Sequence, residues 1–133
     1  MSEPNVAESE ERGSPAWHSI YRVPKKNHDA MVQFCKQFNE MFKKFGGLRI
    51  EVFQLTNTNL PMEGITNIAN TISANQDEEV WVELQYFRDR KHMDEVITKM
   101  GKDENMGRIC KESSDLLTPG TRFIMGEFNR IDV

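Results

Sequence analysis

Residues 80–106, VWVELQYFRDRKHMDEVITKMGKDENM, constrain the fold more than any other stretch of the chain. The first eight alternate, Val80, Val82, Leu84 and Tyr86 against Trp81, Glu83, Gln85 and Phe87, which is the side-chain period of a β-strand. Past Asp89 the period lengthens. Met93, Val96, Ile97 and Met100 recur at helical spacing, so a strand runs directly into an amphipathic helix. Such a pair buries its apolar sides only as part of a sheet with helices packed on it.

The rest of the chain supplies matching pieces. Residues 1–16 are polar and acidic and end in Gly13-Ser14-Pro15, so they are expected to form a disordered tail, with residues 17–133 as a single domain long enough to bury a core. Trp17 to Val23 has the β-branched and aromatic content of a strand and stops at Pro24, which cannot continue a central ladder. Met31, Phe34, Cys35, Phe38, Met41, Phe42 and Phe45 draw one helical stripe, with Asn27 as its expected N-cap and Gly46-Gly47 as its stop. Leu48 to Gln54 alternates again. Asn57 to Glu79 is broken by Pro61 and Gly64, and its Ile65, Ile68 and Ile72 hint at a short helix or a packed flap. Met106, Ile109 and Cys110 suggest a further helical piece to about Ser113, and Thr121 to Ile131 reads as a fourth strand. The order β-α-β-β-α-β is the split βαβ of an α+β, ferredoxin-like fold: a four-stranded antiparallel sheet with helices on one face.

Charge narrows the partners. The formal net charge is −4, of which residues 1–16 carry −3, so the expected domain is near neutral and lacks the basic field that sequence-independent nucleic-acid binding requires. No apolar run approaches the roughly 18 residues that span a bilayer, and the acidic start resembles neither a secretory signal nor a basic transit peptide. A cytoplasmic protein that binds neither nucleic acid nor membrane is expected. Cys35 and Cys110 fall on apolar stripes and are read as buried, reduced thiols rather than a disulfide or a metal pair.

Helices on one side leave the other side of the sheet uncovered, and the residues there decide assembly. The wholly apolar set Val80, Val82, Leu84 and Tyr86 is expected beneath the helices, leaving Trp81, Glu83, Gln85 and Phe87 on the free face. The same parity adds Arg49, Glu51 and Phe53 from the second strand, His18, Ile20 and Arg22 from the first, and Phe123, Met125 and Glu127 from the fourth. A face this aromatic and this polar suggests two subunits closing on each other around a cleft. Its expected ligand contacts are Trp81, Glu83, Gln85, Phe87, Arg49, Phe53 and Glu127.

Chemistry is fainter. There is no Gly-rich phosphate loop, no G-x-S-x-G elbow, no His-rich metal spacing and no Cys/His pair, so neither cofactor nor metal is expected. His92 is read as structural, with Arg90 and Asp94 as a surface ion pair four residues apart, and His28 as solvent exposed. His18 could approach Glu83 or Glu127 on the free face. Glu83, in mid-strand among aromatic residues, is a desolvated carboxylate and a candidate proton acceptor, with a salt bridge to Arg49 or Arg22 as the equal alternative.

The run Arg90-x-His92-x-Asp94-x-Val96-x-x-Lys99, followed by Asp103 and Met106, resembles the signature of a family of small prokaryotic proteins of unknown function, and Val23-Pro24-Lys25-Lys26-Asn27 resembles its strand-to-helix junction. The likeness covers about residues 17–133 and implies a dimeric ferredoxin-like α+β barrel, the fold shared with small cofactor-independent monooxygenases. The chain departs from the pattern at Leu117-Thr118-Pro119-Gly120, at Met125-Gly126-Glu127-Phe128, at Trp17 and at Lys44-Phe45. The leading expectation is a homodimer that binds a small, partly apolar molecule in a cleft on the free face. A cofactor-independent monooxygenase or isomerase using His18 or Glu83 as base is the second reading, and a structural or regulatory dimer without ligand is the third.

Overall fold

Pro24, with no N–H to give a ladder, is the last residue of the first strand, β1 (Pro15–Pro24). The structure, a computed structural model, describes residues 14–58, 62–121 and 123–133. After β1 come a 3-10 turn (Lys25–Asn27), α1 (His28–Lys44), β2 (Arg49–Gln54), the short α2 (Ile68–Thr71), β3 (Glu78–Tyr86), α3 (Arg90–Lys102), α4 (Met106–Leu116) and β4 (Ile124–Asn129). The four strands form one antiparallel sheet in the order β2-β3-β1-β4, so the chain is of the α+β class.

Helix ends follow local chemistry, with one difference from expectation. Asn27 does not cap α1; its amide donates to the Leu116 carbonyl at 2.9 Å and so ties the start of α1 to the end of α4. At the other end Gly46 takes φ +102°, a region that favours glycine, while Gly47 lies so close to the Phe42 ring that any Cβ there would collide with it. Asp89 caps α3 by accepting the His92 N–H at 2.8 Å. His92 is buried as a strut: Nδ1 accepts the Arg88 N–H at 2.9 Å and Nε2 donates to the Gly46 carbonyl, linking α3 to the α1–β2 turn. Arg90 does not pair along its helix with Asp94 as expected but reaches the Glu127 carboxylate of β4 at 2.8 Å.

The register separates the two sheet faces. Opposite partners in an antiparallel pair point to the same side, so Trp17, Ser19 and Tyr21 of β1 share a face with Gln85, Glu83 and Trp81 of β3, with Ile50 and Val52 of β2, and with Glu127 and Met125 of β4. This face carries the helices. One core cluster joins Tyr21, Val23 and Trp81 to Met31 of α1 and to Leu117; a second joins Phe87 to Phe42 of α1 and to Met93 and Val96 of α3.

The sidedness expected for the third and fourth strands is therefore reversed. Trp81 is 3% and Phe87 1% exposed beneath the helices, and Glu83 and Gln85 share that side. Val82, Leu84 and Tyr86 lie on the free face with Ile124 and Phe128, whereas the expected placing of His18, Ile20, Arg22, Arg49, Glu51 and Phe53 there agrees with the register. The physical reason is area. Trp and Phe each remove about 150 to 250 Å² from water, more than Val or Leu, so the two rings of Trp81 and Phe87 outweigh a row in which only Tyr86 carries one.

One boundary also moves. β1 begins at Pro15, and Ser14 is held by Arg130, whose N–H donates to the Ser14 carbonyl at 2.8 Å, so residues 14–16 belong to the fold; the remainder of the expected tail, residues 1–13, lies outside the described residues. The long connection contains α2, whose N-cap Asn67 accepts the Ala69 N–H at 2.8 Å, and its Pro61 lies outside the described residues. Cys35 is half-buried and Cys110 exposed, both as free thiols.

Candidate functional site

Glu83 stands in the middle of β3, flanked by β1 and β2, with Ser19 and Val52 as its direct neighbours across the sheet. Its side chain enters the space between the sheet and the helices α1 and α4. There it lines a cavity of about 290 Å³, at the lower end of the range of small-molecule sites. Ser19 and Gln85 share the floor; Met31, Phe34 and Phe38 of α1 form one wall, Met106, Ile109 and Ser113 of α4 the other, and Phe123 and Met125 close the β4 side. Phe34 and Phe38 stack with centroids 6.0 Å apart and planes 17° apart. Cys110 and Ser114 stand at the α4 rim.

The carboxylate is held by neutral donors. Tyr21 Oη donates to Oε1 at 3.2 Å and Gln85 Nε2 to Oε2 at 2.7 Å. Two of its roughly four acceptor positions are thus used by the described residues. Burial pushes the Glu83 carboxyl above its ordinary range, a rise only partly offset by the hydrogen bonds from Gln85 and Tyr21. Burial also raises the Tyr21 hydroxyl, to which the Glu83 charge adds, and pushes the Cys35 thiol up to about 11. The alternative of a salt bridge fails on geometry. Arg22 and Arg49 sit on the other face, Arg22 against Glu78 at 3.4 Å and Arg49 against Glu51 at 2.9 Å.

Of the other residues expected at the site, only Gln85 joins Glu83. Trp81 is core, its indole N–H donating to Glu79 at 2.9 Å, and Phe87 is core against Phe42 and Trp17. Arg49 lies over the Tyr86 ring on the free face, 3.8 Å from its centroid, and Phe53 is exposed at the sheet edge. Glu127 accepts from the Trp17 indole at 3.2 Å, and the Arg90 guanidinium, then that indole, hold its carboxyl below the usual range. His18 packs on Phe128 with ring centroids 4.5 Å apart, its face opposite to that of Glu83 and Glu127, so it does not approach either carboxylate. What the sequence reading missed is the wall: Phe34, Phe38 and Met106 belong to stripes read as plain core, and their only signal is that two helical stripes rich in Met and Phe face one strand carrying an acid.

A second cleft of about 330 Å³ lies between α1 and β2, lined among others by His28, Lys36, Asn39 and Trp81. Two of its polar groups are already engaged. His28, half-buried rather than exposed, shares a hydrogen bond of 2.7 Å with Glu79, which raises its pKa, and Asn39 accepts the Ile50 N–H at 2.9 Å. Among the described residues no three His, Cys, Asp or Glu side chains converge as metal ligands do, and no helix is long and apolar enough to cross a membrane.

A family model described as protein of unknown function, DUF1428, matches residues 18–115. That span runs from within β1 to near the end of α4, and takes in Glu83, Gln85 and the Phe34 and Phe38 wall. Among curated proteins no match was found.

Proposed function

The chain belongs to the DUF1428 family, and from that premise we propose that it is a small-molecule-binding protein whose site is the cavity between the sheet and helices α1 and α4, with Glu83 as its polar anchor. The observation that carries this reading is a carboxylate under the helices, bonded only partly by Tyr21 and Gln85 and facing an apolar space. Desolvating an acid without a cation is costly, and a fold that needed only a core would be more stable with an apolar residue there. The cleft thus moves from the free face to the helix side. The strand order β2-β3-β1-β4 supports the ferredoxin-like reading, and the free thiols Cys35 and Cys110 fit a cytoplasmic location.

The test is a thermal-shift screen of single-ring compounds, read against Ser113→Phe, which fills the α4 side of the cavity without touching Glu83. Compounds that stabilise the native protein are expected to lose their effect on the variant. Equal stabilisation of both would place binding elsewhere and overturn the proposal.

A second reading is favoured by the raised carboxyl pKa: Glu83 takes a proton from the bound molecule, as in an isomerase or a cofactor-independent oxygenase. A ring ketone bound in deuterated water would then exchange its acidic C–H faster with the protein than without it. Glu83→Gln removes that acceleration under this reading, and unchanged exchange would take Glu83 out of the mechanism.

A further inference from the structure

The ring of groups around Glu83 specifies more than a cavity. Among the described residues that line it, Glu83 is the sole charged side chain; the remainder are apolar, amide, hydroxyl or thiol groups. The acid therefore meets no lysine, arginine or histidine from that lining, while aromatic rings stand on two sides of the space, Phe34 and Phe38 from α1 and Phe123 from the segment before β4. Phe123 itself packs edge-on against Tyr21, at 5.2 Å, the residue that donates to Glu83. Methionine sulfur from Met31, Met106 and Met125 adds a soft, polarisable lining.

Aromatic faces carry negative electrostatic potential, as does an ionised carboxylate, and both attract cations while repelling anions. A neutral ligand would leave the acid uncompensated, and an anion would be repelled. We infer that the ligand of this cavity is a small organic cation, an aryl- or alkylammonium, with its nitrogen on Glu83 and its apolar body among Phe34, Phe38 and Phe123. This rests on the proposed use of the cavity as a binding site and adds the chemical class of the guest.

Among the described residues, the titratable groups that face Glu83 from the elements around it are Tyr21 on β1, Cys35 on α1 and Cys110 on α4; β2 presents the apolar Val52 and β4 the apolar Met125. Burial raises Tyr21 and Cys35, so both stay uncharged near neutral pH. Affinity for an ammonium then rises with pH as Glu83 ionises and levels off above its raised pKa. Affinity for a neutral molecule hydrogen-bonded to the protonated acid would fall over the same interval.

The experiment is calorimetric titration of the full chain with 2-phenylethylamine and with its neutral counterpart 2-phenylethanol, across pH 5 to 9, on native protein, Glu83→Gln and Ser113→Phe. The expected result is an amine preference of tenfold or more that grows with pH, is lost in Glu83→Gln, and disappears with all binding in Ser113→Phe. Binding of the alcohol as tight as that of the amine, weakened by Ser113→Phe, would overturn the cation while leaving the cavity as a site. Amine binding that survives Ser113→Phe, or no binding of either probe, would overturn both.

Discussion

Glu83 is expected to cost the protein stability, and the sign can be worked out. Its folded pKa lies above the ordinary value of 4.5, so between 4.5 and that raised value the folded chain keeps a proton that the unfolded chain has released. Folding stability from this group therefore falls as pH rises through the interval, and the full penalty applies above it. Glu83→Gln keeps the size and an acceptor for Tyr21 but does not titrate. The variant is expected to match the native protein below about pH 4.5 and to exceed it at neutral pH by roughly 0.5 to 2 kcal/mol, the usual size of a single stabilising substitution. Thermal melts over that range check it; a variant less stable at every pH would mean that the carboxylate is a structural partner of Tyr21 and Gln85. That Glu83 would be a desolvated carboxylate was legible from its place in mid-strand among aromatics. Its partners were not, because Tyr21, Gln85 and Ser19 come to it through the β1–β3 register, which alternation alone does not fix.

At the scale of elements, existence was easier to read than orientation. The stripe from Met31 to Phe45 is α1, and the period change near Asp89 is the passage from β3 to α3. In β3, however, both sides alternate cleanly, and the period says only that there are two faces. Counting apolar residues favoured Val80, Val82 and Leu84 as the inner set; Trp81 and Phe87 won because rings of that size fill the space between α1, α3 and the sheet. The same economy places His92, whose buried ring serves α3 and the α1–β2 turn together by accepting from Arg88 and donating to Gly46. His92→Leu preserves bulk and strands both backbone groups, and the expected loss is about 1 to 3 kcal/mol for each one left unpaired. Denaturant unfolding measures this, and a midpoint within error of the native one would reduce the strut to a bystander.

For the whole molecule, the reversed faces strengthen the case for assembly. One row of residues crosses all four strands of the uncovered side, Phe53, Val82, Ile20 and Ile124, with Phe53 and Ile124 each 52% exposed, and Leu84, Tyr86 and Phe128 extend it. A continuous apolar strip across a sheet is poorly matched to water and well matched to a second apolar strip. Beside it two ion pairs, Arg22 with the buried Glu78 and Arg49 with Glu51, are closed within the chain, so the apolar strip rather than charge would hold a second copy turned about a two-fold axis. We therefore expect a homodimer closed through this face. The cavity beside Glu83 then lies on the far side of each sheet and is complete in each subunit, unlike a cleft formed between subunits. Val82→Asp, at the centre of the row, is expected to halve the mass measured by light scattering while leaving secondary structure and the 2-phenylethylamine affinity in place. A native protein that is monomeric at high micromolar concentration would remove the dimer, and a variant that loses both partner and ligand would show that the two faces are energetically one.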